Sequence, residues 1–308
     1  MIPEFPEFKK LELSDKEDVE AFTKKFPPYS DFNFVSMWSW NIKDEIKISQ
    51  LNNNFVVCFT DYITGEPFYS FLGDNKVNET AEKLIELSKK EGLEPKLKLV
   101  PEEAVNGSLE KKFEAVLDQD TYDYIFSVSH LSKMNNWTKN SSGKNIRNFI
   151  KKIPNYVVKH EAIELTNKDK YKEMFQRWAK NKSIEDCSGL NESKAFGRIF
   201  EAKNNAVNTV SIYINDLLMG FTVYEILSSE YAISHFAKAD ISYHRAINDM
   251  LNWEEAKVLD ERGIKYFNWE QDLGIPGLRK SKEKYKPTFF LKKLSIKMEI
   301  PSFTKKVL

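Results

Sequence analysis

The sequence predicts an α/β chain of two layered domains in tandem, each a mostly antiparallel, mixed sheet flanked by helices. Three observations predict it. The 308 residues exceed the ~100–200 typical of one domain. Helical and strand patterns alternate on both sides of a polar connection at 129–145, and the second half holds a clear antiparallel meander. With 41% hydrophobic and 13% aromatic residues the chain can bury a core, which excludes the disordered and low-complexity classes. The expected domains are 1–140 and 141–308.

Asp15 to Phe26 reads as an amphipathic helix, stopped by Pro27 and Pro28, which lack amide donors. In PYSDFNFVSMWSW, residues 28–40, Ser30 or Asp31 is placed to cap a second helix with Phe34, Met37 and Trp38 at helical spacing. That cluster is core packing or a substrate pocket, and such stripes usually face inward. IKIS, FVVCF and FYSFL, between Glu45 and Leu72, read as strands broken by turns at Asn52-Asn53-Asn54 and Thr64-Gly65. A helix from Asn78 to Glu91, a strand near Leu97 to Val100, a helix after Pro101 and a closing strand from Tyr122 to Val128 complete the first layer domain.

SSGKNIRNFIKKIP carries Ile146, Phe149, Ile150 and Ile153 on one helical stripe, ended by Pro154. Lys144, Arg147 and Lys151 lie on the other side, a phosphate-contacting or simply solvated face. A strand from Tyr156 to His160, a helix from Asp169 to Lys180 and helical residues at Arg198 to Lys203 precede the meander. VSIYI, a turn at Asn215-Asp216, LLMGFTVYEIL, a Ser-Ser-Glu turn and YAISHFAKAD form its antiparallel strands. HRAINDMLNWEEAKVLDERG then places Ile247, Met250, Leu251 and Val258 on one helical stripe, with Gly263 as the stop. The strand IKYFNW, a Gly/Pro loop and the run TFFLKKLSIKM finish the second domain.

Lysine plus arginine and aspartate plus glutamate each number 46, so no global field draws the chain to nucleic acid or membrane. The halves differ, however. Residues 1–150 hold 19 basic and 25 acidic side chains and residues 151–308 hold 27 and 21, so a polyanion favours the second half. Cys58 and Cys187 suggest neither a disulfide scaffold nor a zinc site, and no His/Cys/Asp cluster has ligand spacing. MIPEFPEFKK lacks the basic and apolar regions of a secretory signal, and no apolar run approaches the ~20 residues of a membrane span. A cytoplasmic protein without a metal is the expectation.

A helical entry, a meander, a helix, a strand, a loop-helix and a last strand is the order of the GNAT acyltransferase fold. More specifically, NWEQDLGIPGLRKSKEKYKP at 268–287, together with PYSDFNFVSMWSW and HFAKAD, resembles the phosphatidylglycerol lysyltransferase C-terminal domain family over nearly the whole chain. The resemblance implies tandem GNAT-like domains and, by likeness to Fem-type transferases, an aminoacyl group taken from a charged tRNA. It implies no cofactor, the donor being a substrate, and leaves the acceptor open among small molecules, peptides and lipid headgroups. GNAT acetyltransferases hold the coenzyme A pyrophosphate on a Gly-rich loop that opens the helix after the meander. Here AKADISYHRAIND contains no glycine, which favours a different donor. An acyl-coenzyme A donor and a non-catalytic binding module remain the alternatives. Against the family pattern, Ala237 stands where an acid is often found and His244 near a frequent glycine, which implies a lost polar ligand or a changed acceptor.

Aminoacyl transfer requires an acceptor relieved of its proton, donors around the carbonyl, and a clamp on the ammonium and phosphates of the donor. Glu270 and Asp272 lie two residues apart where a strand opens into a loop. An extended backbone would aim both carboxylates to one side, one for the α-ammonium and one for the proton of the acceptor; alternatively they cap the helix at Gly274 to Gly277. His235, expected on one strand face with Ile233 and Ala237, is a general base at neutral pH or a hydrogen-bonded core residue. Glu225 on the neighbouring strand is an ammonium ligand on the same reading, and Glu254 interrupts an apolar stripe, partly buried or at its edge. Arg279, Lys280, Lys282, Lys284 and Lys286, opposed by Glu283, form the densest basic run. Arg279, Lys282 and Tyr285 are the expected substrate contacts; Lys280 and Lys286, with Lys144 and Arg147, are the expected tRNA phosphate contacts. A solvated charge run is the alternative.

Overall fold

A computed structural model of the chain describes residues 1–61, 64–105, 107–163, 168–183, 191–201 and 207–299. In chain order the elements begin β1 (Lys9–Lys10), α1 (Lys16–Thr23), α2 (Phe34–Trp40), β2 (Lys47–Leu51), β3 (Asn54–Thr60), β4 (Pro67–Leu72), α3 (Val77–Lys90), β5 (Lys96–Pro101), α4 (Glu102–Val105) and β6 (Phe113–Leu117). They continue with β7 (Asp123–Ser127), α5 (Val128–Leu131), α6 (Ser141–Lys152), β8 (Val157–Ala162), α7 (Lys168–Asn181), α8 (Asn191–Ile199), β9 (Val207–Ile214), β10 (Leu217–Ile226) and β11 (Tyr231–Ala239). Last come α9 (Ile247–Glu261), β12 (Tyr266–Asn268), α10 (Pro276–Glu283), β13 (Phe289–Leu291) and β14 (Lys293–Met298). Cys187 and Lys203 lie outside the described residues.

The chain forms two compact units, one of residues 1–32, 43–122 and the segment from Leu291 on, the other of residues 33–42 and 123–290. No single boundary near residue 140 separates them, because α2 belongs to the second unit and β14 to the first.

The first unit carries a seven-stranded sheet in the order β1-β2-β3-β4-β5-β14-β6. β2, β3 and β4 are antiparallel neighbours. The turn between β2 and β3 uses Asn52 and Asn53, both left-handed at φ 54° and 62°, the conformation a tight hairpin requires and asparagine tolerates. α3 buries Val77, Ala81, Leu84 and Ile85 in a core with Val56, Phe71, Leu97 and Ile296. β14 inserts between β5 and β6, antiparallel to both. The expected placement of TFFLKKLSIKM in the second domain is therefore corrected: Leu294 and Ile296 complete the first core, and only β13 joins the second sheet. Lys293, fully buried on β14, forms an ion pair with Asp31 and reaches Ser30 Oγ at 3.4 Å. The expected closing strand at 122–128 is β7, which belongs to the second sheet. The first sheet ends instead on β6, whose four residues after Phe113 are exposed and so carry no buried-strand pattern.

The second unit carries a seven-stranded sheet in the order β13-β7-β12-β11-β10-β9-β8. The meander β9-β10-β11 is antiparallel, β11 and β12 run parallel, and β12 and β7 are antiparallel again. On one face Ile247, Leu251 and Leu259 of α9 and Phe149 of α6 pack in a core with Met219, Tyr224 and Phe267. Gly220 permits that approach: a Cβ there would come within 2.9 Å of Leu251 Cδ1 and 3.0 Å of Ile247 Cγ2. On the other face Val35 of α2, Phe175 of α7 and Phe196 of α8 pack with Phe221, Val223 and Phe236. α2 is capped by Asn33, not by Ser30 or Asp31 as expected. The Asn33 side chain accepts the Ser36 N–H at 2.8 Å, while Ser30, Asp31 and Phe32 form a short 3-10 turn.

The register of β10 against β11 shifts at Val223/Tyr224: Val223 pairs with Phe236 and Tyr224 with Ser234, leaving His235 as the extra residue of a β-bulge. The expected alternation that would put Ile233, His235 and Ala237 on one face is broken at this point. Each unit is thus a mixed, mostly antiparallel sheet with helical cover, the GNAT-like layering that the element order implies. Among the described residues no helix is long and apolar enough to cross a membrane.

Candidate functional site

β11 and β12 pair over Tyr231–Ile233 with Tyr266–Asn268; β12 ends there while β11 runs on to Ala239. Where the two strands part, Ala237 is exposed in an otherwise largely buried strand. Bulges re-aim side chains, and here His235 meets Glu225 of β10, Ser36 of α2 and Glu270 of the loop after β12.

His235 Nδ1 lies 3.3 Å from Ser36 Oγ and 3.7 Å from Glu270 Oε1, and Nε2 lies 3.5 Å from Glu225 Oε2. Ser36 Oγ donates to Glu270 Oε1 at 3.1 Å, and Asn33 Nδ2 donates to Glu225 Oε2 at 2.9 Å. The His235 and Glu225 side chains are 1% and 4% exposed, whereas Glu270 is 22% exposed. Since Ser36 gives its proton to Glu270, Nδ1 must donate to Ser36 Oγ, which fixes a proton on that nitrogen. Burial opposes charge on His235, but the hydrogen bonds and charges of Glu225 and then Glu270 prevail and push it up to about 9. An imidazolium between two carboxylates follows at neutral pH, leaving a net negative site.

His235 has the burial and hydrogen bonds of the core alternative read from the sequence, and the raised value works against a base at neutral pH. Ser36, His235 and Glu225 have the composition of a nucleophilic triad, but the Ser36 hydroxyl donates to Glu270 and not to the imidazole.

Glu270 and Asp272 do not face one way. Glu270 is left-handed, with φ 57°, so the backbone is not extended and the carboxylates diverge. Asp272 is fully buried: Arg279 Nε and Nη2 hold its two oxygens at 2.7 and 2.9 Å, Tyr124 donates at 2.6 Å and the Gly274 N–H at 2.8 Å. Burial would raise the Asp272 carboxyl, yet Arg279, Tyr124 and Gly274 hold it below the usual range. Asp272 and Arg279 therefore brace the loop, and the bond to Gly274 is the turn-capping alternative read from the sequence.

Lys282 Nζ donates to the carbonyls of Trp269, Glu270 and Gln271, at 3.1 Å for Glu270 and 2.7 Å for Gln271. The Glu270 N–H donates to Asn268 Oδ1 at 2.6 Å and its carbonyl accepts the Tyr124 N–H at 3.1 Å. The loop that carries Glu270 is thus tied at each backbone group. Tyr285 is buried and donates to Asp249 Oδ1 at 2.7 Å, which also receives Lys284 Nζ at 2.6 Å. Of the expected substrate contacts, Arg279 and Lys282 bond the loop itself, whereas Tyr285 bonds α9. Lys144, Lys280 and Lys286 are exposed, and Arg147, also exposed, donates to the carbonyls of Asn135 and Trp137. Glu254 is buried, bonded to Tyr156 OH at 3.3 Å and Lys257 Nζ at 2.6 Å.

Sequence reasoning missed Asn33 and Ser36, hidden in an aromatic run, and Glu255, which is buried beside Glu254 in α9. The DFNFVS spelling of a polar cap with a serine three residues on was the available signal. Among the described residues no group of three or more His, Cys, Asp or Glu side chains is placed to hold a metal ion.

Residues 23–296 match the family model described as phosphatidylglycerol lysyltransferase, C-terminal. A search of the curated proteins finds no match. Among solved structures, a conserved protein of unknown function from Bacteroides thetaiotaomicron is similar at 25% identity and TM-score 0.81, over 97% of this chain and 100% of that one. L-PGS from Bacillus licheniformis is similar in fold at 12% identity and TM-score 0.61, over 98% and 95%. FemX is similar in fold at 9% identity and TM-score 0.56, over 95% and 97%.

Proposed function

Because the chain belongs to the phosphatidylglycerol lysyltransferase C-terminal family, we propose that its second unit is an aminoacyltransferase site that takes its donor from charged tRNA. The observation that carries this reading is Glu270, a partly exposed carboxylate locked against His235 and Ser36 where β11 and β12 part. An acceptor amine or hydroxyl adds to the ester carbonyl and gives its proton to Glu270. The tetrahedral intermediate then collapses, the bond to the ribose oxygen breaks, and Glu270 returns the proton to that oxygen. The net negative charge around His235 suits the α-ammonium of the donor. The protein works in the cytoplasm, where charged tRNA is found, and uses no cofactor.

The segment before α9 supports a donor other than acyl-coenzyme A. It lacks glycine, and the Asp240 side chain occupies it, accepting from Ser242 N at 3.2 Å and Asn181 Nδ2 at 2.7 Å. An acid there opposes a pyrophosphate.

The test is transfer of labelled amino acid from a charged-tRNA mixture to an acceptor panel, with acetyl-coenzyme A run in parallel. Transfer from tRNA that falls about 100- to 10,000-fold in Glu270→Gln supports the reading. Turnover with acetyl-coenzyme A alone, or with neither donor, replaces it by the acyl-coenzyme A enzyme or the non-catalytic module. Charged tRNA should also bind with strong salt dependence, the slope falling by about 0.7–0.9 for each phosphate that Lys144→Ala, Lys280→Ala or Lys286→Ala leaves without its cation.

A further inference from the structure

Among the described residues, β1 and β6 end the sheet of the first unit, and β13 and β8 end that of the second. An open strand edge offers unpaired N–H and C=O groups to any extended chain, so soluble proteins keep such edges short or place charges, lysine above all, along them. Three of these ends follow that rule: β1 is two lysines, β13 is three residues long, and β8 carries Lys159, His160 and Glu161 at its middle. β6 does not. It finishes in Ala115-Val116-Leu117, with Val116 51% and Leu117 46% exposed, and its one charged residue, Glu114, is paired with Lys297 of β14 at 3.0 Å.

The backbone of β6 fixes how another strand can join it. The Asp118 N–H donates to the Lys293 carbonyl at 3.1 Å and the Glu299 N–H to the Lys112 carbonyl at 2.7 Å, so the even-numbered residues turn their backbone groups to β14. Phe113, Ala115 and Leu117 therefore turn theirs outward. The Phe113 N–H is satisfied by the Glu110 carbonyl at 3.0 Å, which leaves those of Ala115 and Leu117 as the outward donors.

We infer that β6 is a self-association edge: a second copy of this chain adds its own β6 antiparallel, about a two-fold axis at Ala115, and the two seven-stranded sheets become one. The Ala115 N–H of each copy then donates to the Ala115 carbonyl of the other, and the Leu117 N–H to the Phe113 carbonyl. Charge selects both the occupant and the register. Lys111 and Lys112 lie at one end of β6 and Asp118 and Asp120 at the other, so antiparallel copies set a basic end against an acidic one. With the axis at Ala115, Lys112 stands opposite Asp118 and Glu114 opposite Val116. An axis at Glu114 would oppose two Glu114 carboxylates, and one at Val116 would oppose Glu114 to Asp118, both unfavourable. Lys112 already bonds Glu82 at 2.8 Å, so its attraction for Asp118 is shared, and the exclusion of the like-charge registers carries more of the selection. On the other sheet face the exposed Leu117 covers Phe113 of the second copy. The pairing uses no residue of the Glu225–His235–Glu270 cluster and stands apart from the transferase reading.

Sedimentation equilibrium of the full chain from about 1 μM to about 1 mM tests it, the range in which an interface at the small end of the area scale dissociates. A monomer–dimer equilibrium is expected. Ala115→Pro removes an outward N–H and no bond to β14, and should raise Kd at least about tenfold. Two substitutions at the exposed Val116 separate register from folding. Val116→Glu sets like charges opposite Glu114 and should raise Kd at least about tenfold, whereas Val116→Lys sets an opposite charge there and should hold Kd within about threefold or lower it. A chain monomeric to about 1 mM, a dimer that Ala115→Pro leaves intact, or equal effects of Val116→Glu and Val116→Lys would overturn the inference.

Discussion

Ser36 and Glu270, 234 residues apart in sequence, share a 3.1 Å hydrogen bond beside His235, whose Nδ1 lies 3.3 Å from the serine oxygen. The serine bridges the carboxylate and His235 and has no activated hydroxyl, so it is a spacer between charges. Ser36→Ala should cost about 1.5–3 kcal/mol of stability in urea unfolding, as the loss of a bond to a charged group does. Transfer should fall far less than in Glu270→Gln. A covalent aminoacyl-Ser36 adduct seen by mass spectrometry would refute this assignment.

Stability should decline with rising pH across the neutral range. His235 is raised from 6.5 to about 9 in the folded protein, so its charge contributes fully below about pH 6.5 and is lost as pH rises through about 9. Glu255, raised from 4.5 to about 8, acts in the same direction, its ionisation opposing the folded state as pH climbs through that interval. Urea unfolding from pH 5 to 9.5 should show a falling curve that His235→Gln flattens at the alkaline end and Glu255→Gln at the acid end.

Arg279 is held to a fully buried carboxylate, and this ranks it as structural. Arg279→Ala should destabilise by about 3–5 kcal/mol by stranding Asp272. Arg279→Lys should recover only part, because an ammonium cannot hold both oxygens in parallel. The thermal midpoints of the two variants test the ordering; an Arg279→Ala protein as stable as wild type, and defective only in turnover, would return Arg279 to the substrate.

The Lys293–Asp31 pair of the first unit gives a second stability test. Lys293→Met alone should cost about 3–5 kcal/mol, whereas Lys293→Met with Asp31→Leu should come close to wild type or exceed it, since no charge is then left buried. A double variant as damaged as the single would mean that the pair contributes well beyond cancelling its own desolvation.

Much of the layering was legible in the sequence. The Asn52-Asn53 and Asn215-Asp216 turns, the meander and the stripe of α9 follow from backbone preferences and apolar period, which act locally. Glu225, His235 and Glu270 were also legible as polar residues in strands or at a strand end. What escaped depends on the register of distant segments. One extra residue in β11 decides where His235 points, a left-handed Glu270 parts two carboxylates that extended backbone would align, and Lys282 spends its donors on three carbonyls. None of these has a period or a composition to read. Sheet membership of β14 escaped for the same reason: an alternating strand fits any sheet with a vacant edge or gap.

The interleaved position of β14 bears on how the chain can assemble during synthesis. The second unit is fully encoded by Phe290, but the first sheet has no bridge between β5 and β6 until residues 293–298 leave the ribosome. The N-terminal half must wait, half-built, for its later-made strand, so chaperone dependence and nascent-chain proteolysis should concentrate in β5 and β6 and not in the second unit.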